Sequence, residues 1–305
     1  MLHRVQQNIS RNAMLLTFTL PVMMYLFLFH YLPMFGVVLA FKDYRYDKGI
    51  FGSKWVGLTN FVSFFKTDAA WSITRNTILY NLLFIAIGTL VSVLLALLLN
   101  EIRQRTMIKF YQTTMFYPHF LSWVVVAFIG YAFFSSGYGL LNQWLGRIGL
   151  QSVDWYLEPK WWPFILVFAA IWKYTGFSTL INYAALLGID QSYYEAAEID
   201  GASKLQRAWH ISIPFLKPVL IIQFLLSIGR IFNADFGLFY QVPMNSVLLN
   251  DTTQVIDTFI FHALIDRADI GIGAAVGLFQ SSVGLVIVLV TNTIIRKLRP
   301  EDSLF

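Results

Sequence analysis

Residues 76–100 read "NTILYNLLFIAIGTLVSVLLALLLN" and contain no charged side chain. A helix needs roughly 20 predominantly apolar residues to cross the hydrocarbon core of a bilayer, and this run exceeds that length. Because lipid tails offer no hydrogen-bond partners, the backbone of such a run must satisfy itself, as it does in a helix. We therefore interpret residues 76–100 as part of a transmembrane helix.

Three more uncharged runs of this length occur along the chain, at 12–41, 110–146 and 270–295. The 305 residues are 57% hydrophobic and only 13% charged, whereas soluble domains carry about 25% charged residues. No linker, low-complexity segment or obvious repeat divides residues 1–305, so we expect one membrane domain. The sequence predicts an all-α polytopic membrane protein with six transmembrane helices, at about 13–40, 75–99, 111–134, 161–187, 214–235 and 271–295.

The charge balance and the absence of cysteine narrow the possible functions. A net charge of +5 in a soluble chain would suggest a nucleic-acid ligand, but here loop Lys and Arg are expected to serve topology and lipid headgroups. With no cysteine, disulfides, thiolate metal sites and cysteine nucleophiles are excluded. Arg4 and Arg11 precede an apolar run about twice as long as the roughly 7–15 residues of a signal peptide, so we expect a retained first span.

One polar stretch, residues 193–214 with the sequence "YYEAAEIDGASKLQRAWHISIP", interrupts the apolar runs. Ser192 stands three residues before Glu195, the spacing of a capping box at a helix start. Gly201 follows and can adopt the left-handed conformation that ends a helix. Either Asp200 or Ser203 can cap the next helix. Local rules thus predict a helix–turn–helix at the membrane surface.

The first of these two helices is acidic, and its Ala196–Ala197 pair leaves room for another surface to approach closely. An ordinary loop helix resting on headgroups is the simpler interpretation. However, Glu195, Glu198 and Asp200 would be repelled by an inner leaflet rich in anionic lipid. The pattern favours a protein partner.

The motif "EAAEIDGASKLQRAWHISIP" resembles the EAA loop of permease subunits from binding-protein-dependent ABC importers. That pattern has E-A-A, a glycine four residues after the second alanine, and then I-x-L-P. Ile213 stands in place of the usual leucine, and Ala208 stands where the family often has phenylalanine. "FYPHFLSWVVVAFIG" and "DIGIGAAVGLFQSSVGL" are similar to the sugar-permease branch, and "LPVMMYLFLFHYLPMFGVVLAFKDY" is similar to its oligosaccharide and polysaccharide group. The matching residues of the motif are Glu195, Ala196, Ala197, Gly201, Ile211 and Pro214.

The resemblance implies a type I ABC importer permease fold in a bacterial cell membrane, with both termini cytoplasmic. The distribution of Lys and Arg among the loops favours the same orientation by only a small margin. Residues 188–214 would form the coupling loop that docks on a separate ATPase, and Gly201→Asp would then uncouple or prevent assembly. The implied partners are two ATPase subunits, a second and distinct permease, an extracellular solute-binding protein, membrane lipid and an oligosaccharide. The residues expected to couple to the ATPase are Tyr193, Tyr194, Glu195, Ala196, Ala197, Asp200, Gly201 and Pro214.

Charged and polar side chains within the predicted spans are candidates for a solute path. A charge at mid-membrane costs at least about 2.5–3.5 kcal/mol, so it usually faces a cavity or an opposite charge. The simpler interpretation is pairing between helices, such as Arg230 with Asp235, or snorkelling. The functional interpretation is a polar path for a hydroxyl-rich solute. The candidate path residues are Trp172, Lys173, Tyr174, Gln223, Arg230, Asn233, Asp235 and Gln280.

The sequence carries no motif for chemistry of its own. It has no G-x-x-x-x-G-K-[ST] loop, so we expect ATP and Mg²⁺ to bind only to the partner ATPase. The five histidines are scattered without metal-ligand spacing, so neither catalysis nor a metal site is expected. An ion-coupled secondary transporter is the alternative function. That class would require acidic coupling residues inside the spans and inverted repeats.

Overall fold

A computed structural model describes residues 13–298, which are mostly helical. Five helices are long and apolar enough to cross a membrane, and the number rises to six if one sharply bent pair counts as a single span. The membrane-length helices are Thr17–Phe41, Asp68–Asn100, Pro159–Leu186, Lys204–Ile228 and Ile270–Lys297, and the bent pair is Arg105–Phe120 with Trp123–Phe134.

The first span changes its helical winding along its length. Helix α1 covers Ala13–Leu26, a π-helical turn covers Phe27–Tyr31, and a single α-turn at Leu32–Met34 leads into a 3-10 helix at Phe35–Phe41. Such breaks are tolerated in membrane helices when other groups satisfy the freed backbone. None of its most apolar window is buried against the rest of the chain. Its 3-10 end packs against the last long helix.

A small folded unit joins the first and second spans. Strand β1 (Lys42–Asp43) pairs antiparallel with β2 (Lys54–Trp55), with a helical turn at Gly49–Gly52 between them. Helix α2 (Thr59–Phe65) follows. The Asn60 side chain donates to the backbone carbonyls of Ala40 and Lys42, both at 3.0 Å. These bonds fix α2 to the hairpin.

The third predicted span, residues 111–134, is two helices rather than one. Helix α3 (Asp68–Asn100) precedes it, and α4 (Arg105–Phe116) and α5 (Trp123–Phe134) then meet at a 99° bend. A 3-10 turn at Tyr117–Phe120 lies between them and contains Pro118, which cannot donate a backbone hydrogen bond. The Ser122 side chain caps the start of α5.

The loop after α5 contains a short amphipathic helix. Helix α6 covers Leu140–Arg147, and 3-10 turns follow at Trp155–Leu157 and Pro159–Trp161. The Asn142 amide donates to the Val153 carbonyl at 2.8 Å and accepts from the Trp155 indole at 3.1 Å. This buried amide therefore holds the loop together.

Helix α7 (Trp162–Leu186) explains how the bend between α4 and α5 is maintained. The backbone of α7 at Gly176 lies so close to Met115 that an added Cβ would stand 1.8 Å from the Met115 carbonyl oxygen. The Lys173 ammonium, which is buried, donates to the carbonyls of Pro118 (3.4 Å), His119 (3.0 Å) and Leu121. Lys173 thus satisfies the carbonyls that the break frees.

The C-terminal half contains the polar loop and the remaining spans. Helix α9 (Lys204–Arg207) passes through a π-helical turn at Ala208–Ser212 directly into α10 (Ile213–Ile228), so Pro214 lies inside one continuous helix and does not end it. A 3-10 turn at Val247–Leu249 precedes α12 (Asn250–Thr253). The helices here are α8 (Gln191–Ile199), α9 (Lys204–Arg207), α10 (Ile213–Ile228), α11 (Phe236–Gln241), α12 (Asn250–Thr253), α13 (Ile256–Ile265) and α14 (Ile270–Leu298).

Three apolar clusters hold these helices together. One surrounds Trp162 and Leu238, and a second surrounds Phe64 and Ile256. The third lies beneath the polar loop, where Tyr194 of α8 packs with residues of α3, α7 and α10. Many large apolar side chains remain on the outside of the helices, as expected for a lipid-facing surface.

Candidate functional site: the coupling loop and a polar cavity

Helix α8 begins at Asp190 and not at Ser192. The Asp190 carboxylate accepts the Ser192 backbone N–H at 2.9 Å, and this hydrogen bond lowers the pKa of Asp190 below its ordinary value. The predicted capping box of Ser192 with Glu195 is therefore wrong. The ionised Asp190, two residues upstream of Ser192, caps the helix instead. Its negative charge also interacts favourably with the positive end of the helix dipole.

The turn between α8 and α9 needs a glycine for its backbone conformation. Gly201 has φ +78°, and the Ala202 N–H donates to the Ala197 carbonyl at 2.8 Å. A Cβ at Gly201 would meet no atom within 4 Å, so the requirement is conformational and not steric. Of the two predicted caps for the next helix, Ser203 is used, in a capping box with Gln206.

Tyr194 anchors the predicted coupling loop, residues 188–214, to the spans. The ring of Tyr194 is buried, and its hydroxyl lies 2.9 Å from the Ser212 hydroxyl. The same ring packs in a cluster with Leu99 at the end of α3 and Leu216 in α10. Tyr194 therefore connects α8 to the ends of two spans.

An ion-pair network adds a second connection. The Arg207 guanidinium lies 3.1 Å from the Glu198 carboxylate on α8 and 3.9 Å from that of Glu101 just beyond α3. Lys204 also pairs with Glu101, at 3.2 Å. The side chain of Arg207 is only 14% exposed, so this arginine is held between its two acids.

The outer face of α8 and α9 is open and partly apolar. Ile199 is 87% exposed and Leu205 is 77% exposed. Trp209, next to the position where the family often has an anchoring ring, is 66% exposed and so does not anchor the loop within this chain.

The structure places the predicted coupling residues in three settings. Tyr193, Glu195, Ala196 and Asp200 are exposed, and the Tyr193 ring contacts Phe215 with centroids 5.7 Å apart. Ala197 is half-buried and borders a cavity of 260 Å³ that also touches Arg207. The remaining three differ from these: Tyr194 is buried, Gly201 forms the turn between α8 and α9, and Pro214 is half-buried in α10.

A larger cavity of 490 Å³ opens between α3, α7, α10 and the segment 229–235. Its lining is rich in hydroxyl and amide groups, including Thr89, Ser178, Gln223 and Asn233. Ring faces and aliphatic side chains, among them Phe84, complete the wall. Such a mixture suits a solute that has both hydroxyl groups and apolar C–H faces.

Five of the eight predicted path residues line this cavity and three do not. Tyr174, Gln223, Arg230, Asn233 and Asp235 line it. Lys173 instead bonds the carbonyls at the bend, and Trp172, 39% exposed, lies outside the cavity lining. Gln280 is buried behind segment 229–235, where its amide donates to the Phe232 carbonyl at 2.6 Å and the Asp257 carboxylate at 3.1 Å.

Asp235 does not form the predicted pair with Arg230. One carboxylate oxygen accepts the Trp123 indole N–H at 2.7 Å and the Tyr174 hydroxyl. The other oxygen accepts the backbone N–H groups at the start of α11. The pairing is therefore wrong, because Asp235 serves as a helix cap that ties α5, α7 and α11 together.

Sequence reasoning missed an amide chain that crosses the helices beside the cavity. The fully buried Asn182 donates to the Ser92 hydroxyl at 3.1 Å and accepts from the Gln223 amide at 2.8 Å. Asn81 likewise donates to the Ile231 carbonyl at 3.0 Å. The available signal was the presence of asparagine in otherwise apolar runs, where a polar side chain needs a partner.

Comparison with known proteins identifies the family that this architecture represents. Residues 88–300 match the family described as the binding-protein-dependent transport system inner membrane component. The chain is 36% identical over 286 residues to the polygalacturonan/rhamnogalacturonan transport system permease protein YteP of Bacillus subtilis (strain 168), covering 92% of this chain and 87% of YteP.

Two solved structures share the fold. One is a bacterial ABC transporter involved in the import of the acidic polysaccharide alginate, with TM-score 0.89, 30% identity and coverage of 97% of this chain and 99% of that chain. The other is the bacterial alginate ABC transporter in complex with alginate pentasaccharide-bound periplasmic protein, with TM-score 0.88, 30% identity and coverage of 97% and 98%. The predicted type I importer fold is confirmed. The chain belongs to the binding-protein-dependent transport system inner membrane component family and is a multi-pass permease subunit of an ABC importer.

Proposed function

We propose that this chain forms half of the translocation pathway of an ATP-driven oligosaccharide importer and receives force through its coupling loop, residues 188–214. The observation that carries the proposal is the construction of α8. Its outer face is exposed, while Tyr194 and the network of Glu198, Arg207 and Glu101 fasten it to the spans. Such a helix can dock on a partner and transmit displacement.

ATP and Mg²⁺ would bind to two separate ATPase subunits, since the sequence contains no phosphate-binding loop. Closure of the ATPase pair would draw this α8 and its counterpart on a second, distinct permease toward each other. The spans would then change from an inward-open to an outward-open arrangement. The energy for this change must come from nucleotide binding that differs between the two states.

The solute class follows from the cavity and from the relatives. Hydroxyl, amide and ring groups line the 490 Å³ space, and the comparison proteins transport polygalacturonan, rhamnogalacturonan or alginate. An extracellular solute-binding protein would deliver the oligosaccharide, as a periplasmic protein accompanies the alginate transporter. Both termini would be cytoplasmic, and lipid would cover the exposed apolar surface.

The test is reconstitution of the complete assembly in liposomes with its binding protein. We expect ATP-dependent uptake that one or more oligosaccharides of a panel stimulate, and we expect Gly201→Asp to lose it while the membrane protein remains folded. Solute uptake by the purified chain alone under an ion gradient, without any ATPase, would overturn the proposal in favour of a secondary transporter. A tag at either terminus that reacts only from outside the cell would reverse the proposed orientation.

A further inference from the structure

Arg230 lines the cavity together with Asp235, but the two side chains do not pair. It follows α10, and it lies in the turn where Arg230 donates its backbone N–H to Ser227 and accepts from Asn233. Its side chain is exposed and borders the 490 Å³ space. Within residues 13–298 the Arg230 guanidinium has neither a hydrogen bond nor an ion pair. Its charge is therefore available to a ligand.

Two acidic side chains next to the segment 229–235 already have hydrogen-bond partners. Asp235 accepts four donors, from Trp123, Tyr174 and the first turn of α11. Asp257 is placed behind the segment, where it accepts the Ala234 backbone N–H at 2.7 Å and the Gln280 amide. These bonds orient both carboxylates toward neutral donors, and within residues 13–298 neither carboxylate is bonded to Arg230, whose own donors stay open.

Arg230 comes two residues after the end of a membrane-length helix, and a charge in or near a span usually faces a polar cavity or an opposite charge. The planar guanidinium fits a carboxylate through two parallel hydrogen bonds. The surrounding lining supplies donors and acceptors for hydroxyl groups, among them Thr89, Ser178, Gln223 and Asn233. Of the two charged side chains in the lining, Asp235 has its oxygens bonded while Arg230 has unused donors, and unused guanidinium donors among hydroxyl and amide groups match a sugar that carries a carboxylate.

We infer that the cavity binds an acidic oligosaccharide and that Arg230 determines this specificity by binding a uronate carboxylate. The inference rests on the proposed function, because it names the chemical class of the imported solute. Arg230 acts on the solute and not on the coupling to ATP. Its effect should therefore distinguish charged from neutral saccharides of the same size.

The experiment compares two matched saccharides in the complete reconstituted assembly. They are trigalacturonate and its fully methyl-esterified, neutral form, each supplied at a concentration that saturates the binding protein. We expect Arg230→Gln to lower the uptake of trigalacturonate at least ten-fold while the uptake of the neutral ester changes less than two-fold, a ratio typical of lost charge-assisted hydrogen bonds. Arg230→Lys should retain part of the preference. Arg296→Gln, an exposed arginine in the last turn of α14, is the matched control.

Each outcome decides the matter. Equal losses of both saccharides in Arg230→Gln would overturn the inference and assign Arg230 to a structural contact, such as an acidic residue of the second permease. Unchanged uptake of both saccharides would also overturn it. A wild-type assembly that imports neutral oligosaccharides but not trigalacturonate would refute the acidic class and leave the proposed function intact. A wild-type assembly that imports no saccharide at all would refute both.

Discussion

Replacement of Lys173 by methionine tests whether this buried lysine supports the bend or lines the solute path. In the structure its ammonium donates to the carbonyls of Pro118, His119 and Leu121 at the break between α4 and α5, and of these the Pro118 carbonyl also accepts the Leu121 backbone N–H. Methionine keeps most of the length and apolar volume of the side chain but donates no hydrogen bond. We therefore expect Lys173→Met to weaken the junction of α4 and α5 without changing the choice of solute.

The expected magnitude follows from the bonds that are lost. Hydrogen bonds to a charged group contribute about 1.5–3 kcal/mol each, and at least two carbonyls would be left unsatisfied in a buried site. Removal of the buried charge offsets part of this loss, because the ammonium no longer needs to be desolvated. We expect a net destabilisation of about 2–4 kcal/mol.

The measurement is the apparent melting temperature of the purified assembly, together with uptake of two different oligosaccharides. Lys173→Met should lower the melting temperature by several degrees and leave the ratio of the two uptake rates unchanged. The matched control is Lys160→Met, which removes an exposed lysine paired with Glu158 and should leave the melting temperature unchanged, because solvent screens such a surface pair. If Lys173→Met melts like the wild type but loses uptake, the structural role is refuted and a role in the path is restored.

Three further substitutions test other parts of the structure. Gly176→Ala should destabilise the fold by about 3 kcal/mol or more and lower the yield of folded protein, because the new Cβ collides with the backbone of Met115. The control is Gly88→Ala, which should not change the stability, since the nearest atom to its new Cβ is 3.6 Å away. Gly201→Ala should reduce co-purification with the ATPase, because alanine pays about 1–2 kcal/mol to adopt the left-handed backbone conformation of Gly201. Gly201→Asn should reduce co-purification less, and equal effects of the two substitutions would refute the conformational argument. A double-mutant cycle of Glu198→Gln and Arg207→Gln, read by co-purification with the ATPase, should give a coupling energy of about 0.5–1 kcal/mol. Strictly additive losses would show that the Glu198–Arg207 ion pair does not contribute to docking.

Local patterns were sufficient for much of the coupling loop. The turn at Gly201 and the cap at Ser203 depend on residues within a few positions of each other, so neighbouring sequence defines them. The start of α8 shows where local rules are ambiguous. Asp190 and Ser192 are both good caps, and the choice of Asp190 follows from its ionised carboxylate reaching the Ser192 N–H.

The bend in the third span had a local signal that hydropathy conceals. Pro118 within an uncharged run and Ser122 four residues later are a helix-ending residue and a helix cap. Hydropathy alone predicts one helix, because it counts apolar residues and does not register backbone geometry. The bend persists because Gly176 and Lys173 of α7 meet it from the other side.

The sequence by itself determined the class of protein, since uncharged runs long enough to cross a bilayer leave the backbone little choice but helix. It also determined the nature of the polar loop, which rests on short-range capping. Only the tertiary structure decided the roles of the charges inside the spans. Lys173 meets its carbonyl partners 52 to 55 residues away, and Asp235 meets Trp123 at a separation of 112 residues. Which charge is satisfied and which faces the cavity depends on how distant helices pack, and sequence spacing does not carry that information.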